Sequence, residues 1–208
     1  MLSLEELVDP RHTALVVVDV QNDFCHSEGD LGRRAGDVSR IQAAVRDLVG
    51  LIIQARDKGV AIIFIRAVHG AWTDSETWLR RRKDVPVAQL RTCQDNTWGG
   101  DFYEVQPLPG DKVIAKPRYS AFYGTELDVM LRARGIRTLL MTGVTTNVCV
   151  ESTARDGMQR DYDIVLVENC CGTTRDEDHQ ATLRNIRNQF GVVATSGEVV
   201  EAWTKRDT

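Results

Sequence analysis

Long apolar runs are missing from this chain of 208 residues. No stretch approaches the ~20 residues that a membrane-crossing helix needs, so no transmembrane segment and no membrane partner are expected. The first ten residues carry Glu5, Glu6 and Asp9 rather than a basic start and an apolar centre, so no secretory leader is expected. Cysteine is sparse: five residues, an odd number, at spacings that form no disulfide framework. They read as thiols in a reducing compartment, which points to the cytoplasm. The four histidines, His12, His26, His69 and His179, are scattered without ligand spacing, so no metal is expected. No Gly-x-Gly-x-x-Gly follows the first apolar strand, which leaves a nucleotide cofactor without support. Excess positive charge is absent too. The formal net charge is -4, which gives no reason to expect nucleic-acid binding. The local cluster Arg80, Arg81, Arg82 and Lys83 reads as a solvated surface.

What is present is an alternation of strands and helices. Residues 13–20 form an almost continuous, valine-rich apolar run, the pattern of a strand buried on both faces. Ile41, Ala44, Val45, Leu48, Ile52 and Ala55 recur at helical spacing in residues 37–58, and Gly59 supplies a stop. Further strands are expected at 60–67, 112–116, 137–141, 163–167 and 192–194. Helices are expected at 124–134, 147–160 and 177–189, with a last helix near 197–205. This order predicts an α/β fold: a three-layer sandwich around a mostly parallel, Rossmann-like six-stranded sheet, in a single domain over 1–208. Residues 68–110 break the rhythm. They are long, charged and rich in tryptophan, proline and glycine, which marks a functional edge or a lid.

In open parallel sheets, ligands bind outside the carboxyl ends of the strands. Three chemically capable side chains occupy such ends here: Asp19, Lys116 and Cys149. An acid, an amine and a thiol on one edge make a nucleophilic site. The lysine stabilises a thiolate by Coulomb attraction, and the aspartate accepts the thiol proton. Cys149 also opens a helical segment, where the helix N-terminus favours an anion, so a thiol that ionises near neutral pH is expected.

Three blocks carry a family resemblance. Residues 14–24 (ALVVVDVQNDF), 116–125 (KPRYSAFYGT) and 143–156 (GVTTNVCVESTARD) resemble, in order, the opening strand, lysine segment and nucleophile segment of the isochorismatase-like cysteine hydrolases. The resemblance implies a triad of Asp19, Lys116 and Cys149. It also implies a cis peptide between Val144 and Thr145 and an oxyanion hole from the backbone N–H groups of Thr145 and Cys149. It further implies a homodimer or tetramer, with the tryptophan-bearing loop and the tail around Trp203 as contact surfaces.

The resemblance narrows the chemistry. Nicotinamidase-type members hold a metal through an Asp-x-His pair. This chain has His69 and Asp74 in that region but no such pair. Isochorismatase-type members cleave a vinyl ether without needing a thiol. The segment 145–153 looks most like the ureido-cleaving members. The implied activity is hydrolysis of a C–N bond in a small amide or ureido (carbamoyl) compound through a thioester-type intermediate, without a cofactor. Gln180 and Asn185 are candidate amide-binding residues. Phe24, Trp98, Tyr119 and Phe122 are candidate pocket walls. Asn169 stands where the family often has aspartate, and the adjacent Cys170 and Cys171 read as core or turn residues.

Overall fold

The computed structural model describes residues 2–81 and 92–205. Arg82 and Lys83 of the basic cluster lie outside the described residues. Six strands, β1 (Thr13–Val18), β2 (Ala61–Ala67), β3 (Lys112–Lys116), β4 (Thr138–Val144), β5 (Asp163–Gly172) and β6 (Val192–Ala194), form one sheet in the order β3-β2-β1-β4-β5-β6. Every neighbouring pair is parallel. The chain runs outward from β1 to β3, then crosses back to β4 on the other side of β1. That reversal opens a crevice at the carboxyl ends of β1 and β4.

All six residues of β1 are buried because helices cover both faces. On one face Leu15 and Val17 pack with Ile41, Val45, Leu48 and Ile52 of the helix Ser39–Asp57. On the other, Ala14, Val16 and Val18 pack with Leu127 and Leu131 of the helix Leu127–Ala133 and with Ala154 of the helix Glu151–Met158. The long helix ends as its sequence requires: Gly59 takes φ 71°, a left-handed conformation that costs glycine little.

The expected elements are all present, and their ends differ in instructive ways. β5 runs on through Glu168, Asn169, Cys170 and Cys171 to Gly172. Cys170 and Cys171 are strand residues, 0% and 4% exposed, and all five cysteines are free thiols. Asn169 ties the strand to its surroundings: Nδ2 donates to Asp47 and Ser196, and Oδ1 accepts from the Ser196 N–H. The last helix, Ser196–Lys205, turns Trp203 inward. That ring is 1% exposed, and its Nε1 donates to the carbonyl of Val8 at 2.8 Å. Trp203 is therefore an internal clasp between the chain ends and not a contact surface. No helix among the described residues is long and apolar enough to cross a membrane.

Trp203→Ala leaves a large cavity and an unpaired Val8 carbonyl. We expect a loss of about 3–5 kcal/mol, which is roughly 10 °C in melting temperature for a chain of this size. A melt by circular dichroism that moves by less than about 2 °C would show that the clasp contributes nothing.

Candidate active site

Three strand ends are drawn together. β1 stops at Val18, and Asp19 then takes φ 52°, a left-handed turn that aspartate tolerates better than most side chains. Its N–H still donates to Ile65 of β2 at 2.9 Å. The buried Gln21 clamps the exit of β1. Its Nε2 donates to Ala67 and Gly100, and its Oε1 accepts from the Ala67 N–H. Lys116 is the last residue of β3 and lies in register with Ala67 at the end of β2. From there its side chain crosses the end of β2, and Nζ comes to 2.7 Å from Oδ2 of Asp19. Nζ also donates to the carbonyl of Arg118 at 2.9 Å.

β4 lies tight against β1 at its exit. Gly143 has φ 101°, and a Cβ there would sit 2.1 Å from the carbonyl oxygen of Val18, so only glycine fits. The peptide between Val144 and Thr145 is cis. The chain then makes one π-helical turn, Thr146–Val150, in which the Val150 N–H donates to the Thr145 carbonyl. Cys149 sits in this turn and is 7% exposed. Thr153 braces it: its hydroxyl donates to the Cys149 carbonyl at 2.7 Å and accepts from the Ala121 N–H at 3.0 Å. The lysine segment and the nucleophile segment are thus joined through one hydroxyl.

Asp19 and Lys116 are 0% and 2% exposed, so their charges meet almost without water. Apart from the Lys116 ammonium and the Cys149 thiol, neither carboxylate oxygen of Asp19 has a hydrogen-bond donor among the described residues. Burial works against the lysine's charge, but the neighbouring Asp19 and Cys149 outweigh it and hold its pKa above the usual value. The thiol goes the other way from the sequence expectation. Burial pushes Cys149 up to about 12, Lys116 pulls it down, and Asp19 pushes it up again. The desolvation of a sulfur anion in this recess exceeds what the helix end and the ammonium return. Burial thus favours the neutral thiol beside the Asp19–Lys116 pair.

Lys116, Thr145 and Cys149 open on a cavity of about 180 Å³. Phe24 and Tyr119 line it, as the sequence indicated. Trp98, Phe122 and Gln180 do not. Trp98 is half exposed and packs edge-on against His26. Phe122 is buried in the core and stacks on Tyr162, because the chain turns after Ser120 and carries it away from the cavity. Gln180 lines a separate, open cleft of about 600 Å³ beside Asn169, on the far side of the nucleophile turn. That cleft is larger, but four of its charged groups are paired with one another, Arg40 with Asp176 and Arg187 with Glu168, and Asp47 accepts from Asn169. Asn185 donates to Glu151 at 3.0 Å and holds two helices together.

The cavity has walls that local sequence patterns did not mark: His69, Trp78, Arg81 and Arg118. Trp78 belongs to the short helix Glu76–Arg80 in the 68–110 excursion. The guanidinium of Arg81 lies 3.6 Å from the centre of its ring and that of Arg118 4.5 Å. Arg81 Nε donates to the Tyr119 hydroxyl, and Arg118 donates to the carbonyls of Thr73 and Pro117. Neither arginine pairs with a carboxylate among the described residues. The excursion thus supplies one wall of the cavity, through His69, Trp78, Arg81 and Thr92, and Arg81 is a half-buried wall residue. Among the described residues no group of three or more His, Cys, Asp or Glu side chains is placed to hold a metal.

Comparison with known proteins places this geometry. The family model described as the isochorismatase domain matches residues 13–198. The ureidoacrylate amidohydrolase RutB of Methylobacterium radiotolerans is 37% identical over 200 residues, spanning 90% of this chain and 78% of that protein. The cysteine hydrolase from Pseudomonas syringae pv. phaseolicola 1448A has a TM-score of 0.84 at 28% identity, over 96% of this chain and 95% of the other. The N-carbamoylsarcosine amidase from Thermoplasma acidophilum has a TM-score of 0.73 at 29% identity, over 88% and 96%. The match runs from the first strand to the last helix, and it includes all three strand ends that meet at the cavity. The chain belongs to the isochorismatase family.

Proposed function

We propose that this chain is a cysteine amidohydrolase that cleaves the C–N bond of a small carbamoyl (ureido) compound bearing a carboxylate. The observation that carries this reading is the composition of one small cavity. A thiol beside a buried carboxylate–ammonium pair stands at its base, and two guanidinium groups that pair with no carboxylate among the described residues line its wall. The first end suits attack on a planar carbonyl, and the second suits a carboxylate, which arginine binds through paired N–H groups. Relatives named ureidoacrylate amidohydrolase and N-carbamoylsarcosine amidase support the same substrate class.

The steps follow from the groups present. Asp19 takes the proton of Cys149 as sulfur attacks the carbonyl carbon. The high thiol pKa makes proton removal and attack concerted in this reading, with Lys116 offsetting the charge on sulfur. The carbonyl oxygen becomes an oxyanion held by the backbone N–H groups of Thr145 and Cys149, each such donor typically contributing ~3 kcal/mol. The tetrahedral centre collapses, the C–N bond breaks, and protonated Asp19 gives its proton to the leaving nitrogen. Water then attacks the thioester-type intermediate. Asp19 accepts a proton from that water and the proton passes to sulfur as it departs, which restores the thiol.

In this reading the protein works as one domain in a reducing compartment, in keeping with its free thiols. It acts as a homo-oligomer, for which the fully exposed Trp72 and the exposed Tyr123 are the candidate contacts.

Ammonia release from a panel of ureido acids, other carbamoyl compounds and plain carboxamides tests the activity. Cys149→Ala should lower turnover by at least ~10³-fold with an unchanged melt, and Asp19→Asn by a similar factor. Near-normal turnover in either variant removes the role given to that residue. The raised thiol pKa makes a separate prediction. With iodoacetamide, the alkylation rate of resting Cys149 should keep climbing as pH rises past 9, because the reactive anion is still the minor form there. A plateau at pH 7 would show a thiolate already formed.

A further inference from the structure

His69 has no part in the steps above, yet it walls the same cavity as Cys149. Among the described residues only one of its ring nitrogens has a hydrogen-bond partner. Nδ1 lies 2.9 Å from Oδ1 of Asp74. An ionised carboxylate only accepts, so Nδ1 carries the hydrogen and the neutral ring presents a lone pair at Nε2. Nε2 makes no hydrogen bond to a described residue, and it is not among the sealed, unpartnered polar atoms of the interior. It therefore keeps some accessible surface although the residue is buried. The open space beside His69 is this cavity and the small recess that shares its Trp78 and Arg81 walls.

The position of His69 along the wall is fixed by its neighbours. Its ring stacks on Trp78 with centroids 5.8 Å apart and planes 27° apart. Trp78 in turn carries Arg81 and Arg118. On its other side His69 is close enough to Lys116 to feel that charge. The wall thus runs from ammonium to imidazole to indole to the two guanidinium groups. A substrate with its carbamoyl carbon on Cys149 and its carboxylate at the arginines must pass His69 with the atoms that join the two ends. In a ureido acid the first of those atoms is a nitrogen.

Resting on the substrate class proposed above, we infer that His69 determines specificity: Nε2 accepts a hydrogen bond from the N–H of the nitrogen that joins the carbamoyl carbon to the acid portion. The enzyme then takes ureido acids that carry hydrogen on this nitrogen and discriminates against those methylated there. A site built to bond an N–H rejects the analogue lacking it more strongly than an apolar wall does, since the buried acceptor is left unpaired. Three charged groups face the ring: Asp74 from its own loop, Arg81 from the end of the short helix and Lys116 from β3. Burial lowers the pKa of His69, Asp74 opposes this, and Arg81 and Lys116 add to it. The ring is therefore neutral, and an acceptor, at pH 7 and above.

Two matched pairs test the inference: N-carbamoylglycine against N-carbamoylsarcosine, and β-ureidopropionate against its analogue methylated on the bridging nitrogen. The wild-type kcat/KM should favour the N–H member by roughly tenfold or more. His69→Phe keeps the stacked ring and its bulk but removes the acceptor. It should lower kcat/KM for the N–H member toward that of the methylated one, so that the ratio between the two falls to about one. An unchanged circular-dichroism melt reports that the variant is folded. Asp74→Leu, which frees the tautomer, should reduce the preference in the same direction. Equal rates in the wild type, or a preference that survives in His69→Phe and is therefore steric, would overturn the inference and leave the hydrolase reading standing. No hydrolysis of any of the four compounds by the wild type would instead overturn the substrate class on which it rests.

Discussion

The site depends on one ion pair buried almost without water. Asp19 and Lys116 meet at 2.7 Å at the end of three adjacent strands, with exposures of 0% and 2%. Removing one partner of such a pair typically costs about 3–5 kcal/mol, because the other charge is stranded. That cost explains why the sequence spends so much on holding both in place. Gln21 locks the exits of β1 and β2 together, and the Arg118 carbonyl takes a further N–H of the ammonium. With these constraints the carboxylate has few other donors, so the nearby thiol becomes the natural source of a proton.

The sheet supplies the rest of the arrangement. Because every strand is parallel and the order reverses between β1 and β4, Asp19 and Cys149 flank one crevice, and Lys116 reaches it past β2. The approach of β4 to β1 at Gly143 is too close for any side chain. Thr153 then fixes the nucleophile turn to the lysine segment. Burial in this recess favours the neutral thiol, and in the proposed mechanism it is activated during attack. This inverts the expectation drawn from its place at a helix start. A helix end favours an anion by about 1 kcal/mol, which is less than desolvation takes away.

Much of this was legible in the sequence. The buried strands announce themselves as continuous apolar runs, and the helix Ser39–Asp57 as a 3.6-residue stripe. Parallel order alone then sends Asp19, Lys116 and Cys149 to one edge. What was not legible lies where periodicity carries no information. His69, Trp78 and Arg81 stand on the irregular excursion, and their meeting with Arg118 and Tyr119 is set by stacking and cation–π contacts across the chain. Sequence marks Phe122 as an aromatic candidate within the lysine segment, and family resemblance marks Gln180 as a candidate amide binder. The structure turns the first into the core and the second toward another cleft. The second cleft is larger, but the thiol in its lining, Cys171, donates to the Met141 carbonyl, whereas Cys149 stands beside the buried Asp19–Lys116 pair.

The central claim is that the buried ion pair arms Cys149 for covalent chemistry. Rapid mixing with a hydrolysed ureido acid, acid quench and intact-mass analysis tests it most directly, in the wild type and in a folded Lys116→Met variant. The account predicts a transient acyl adduct on the peptide containing Cys149 in the wild type, and its loss in the variant. An adduct that forms equally fast without Lys116, or that maps to another residue, would contradict it.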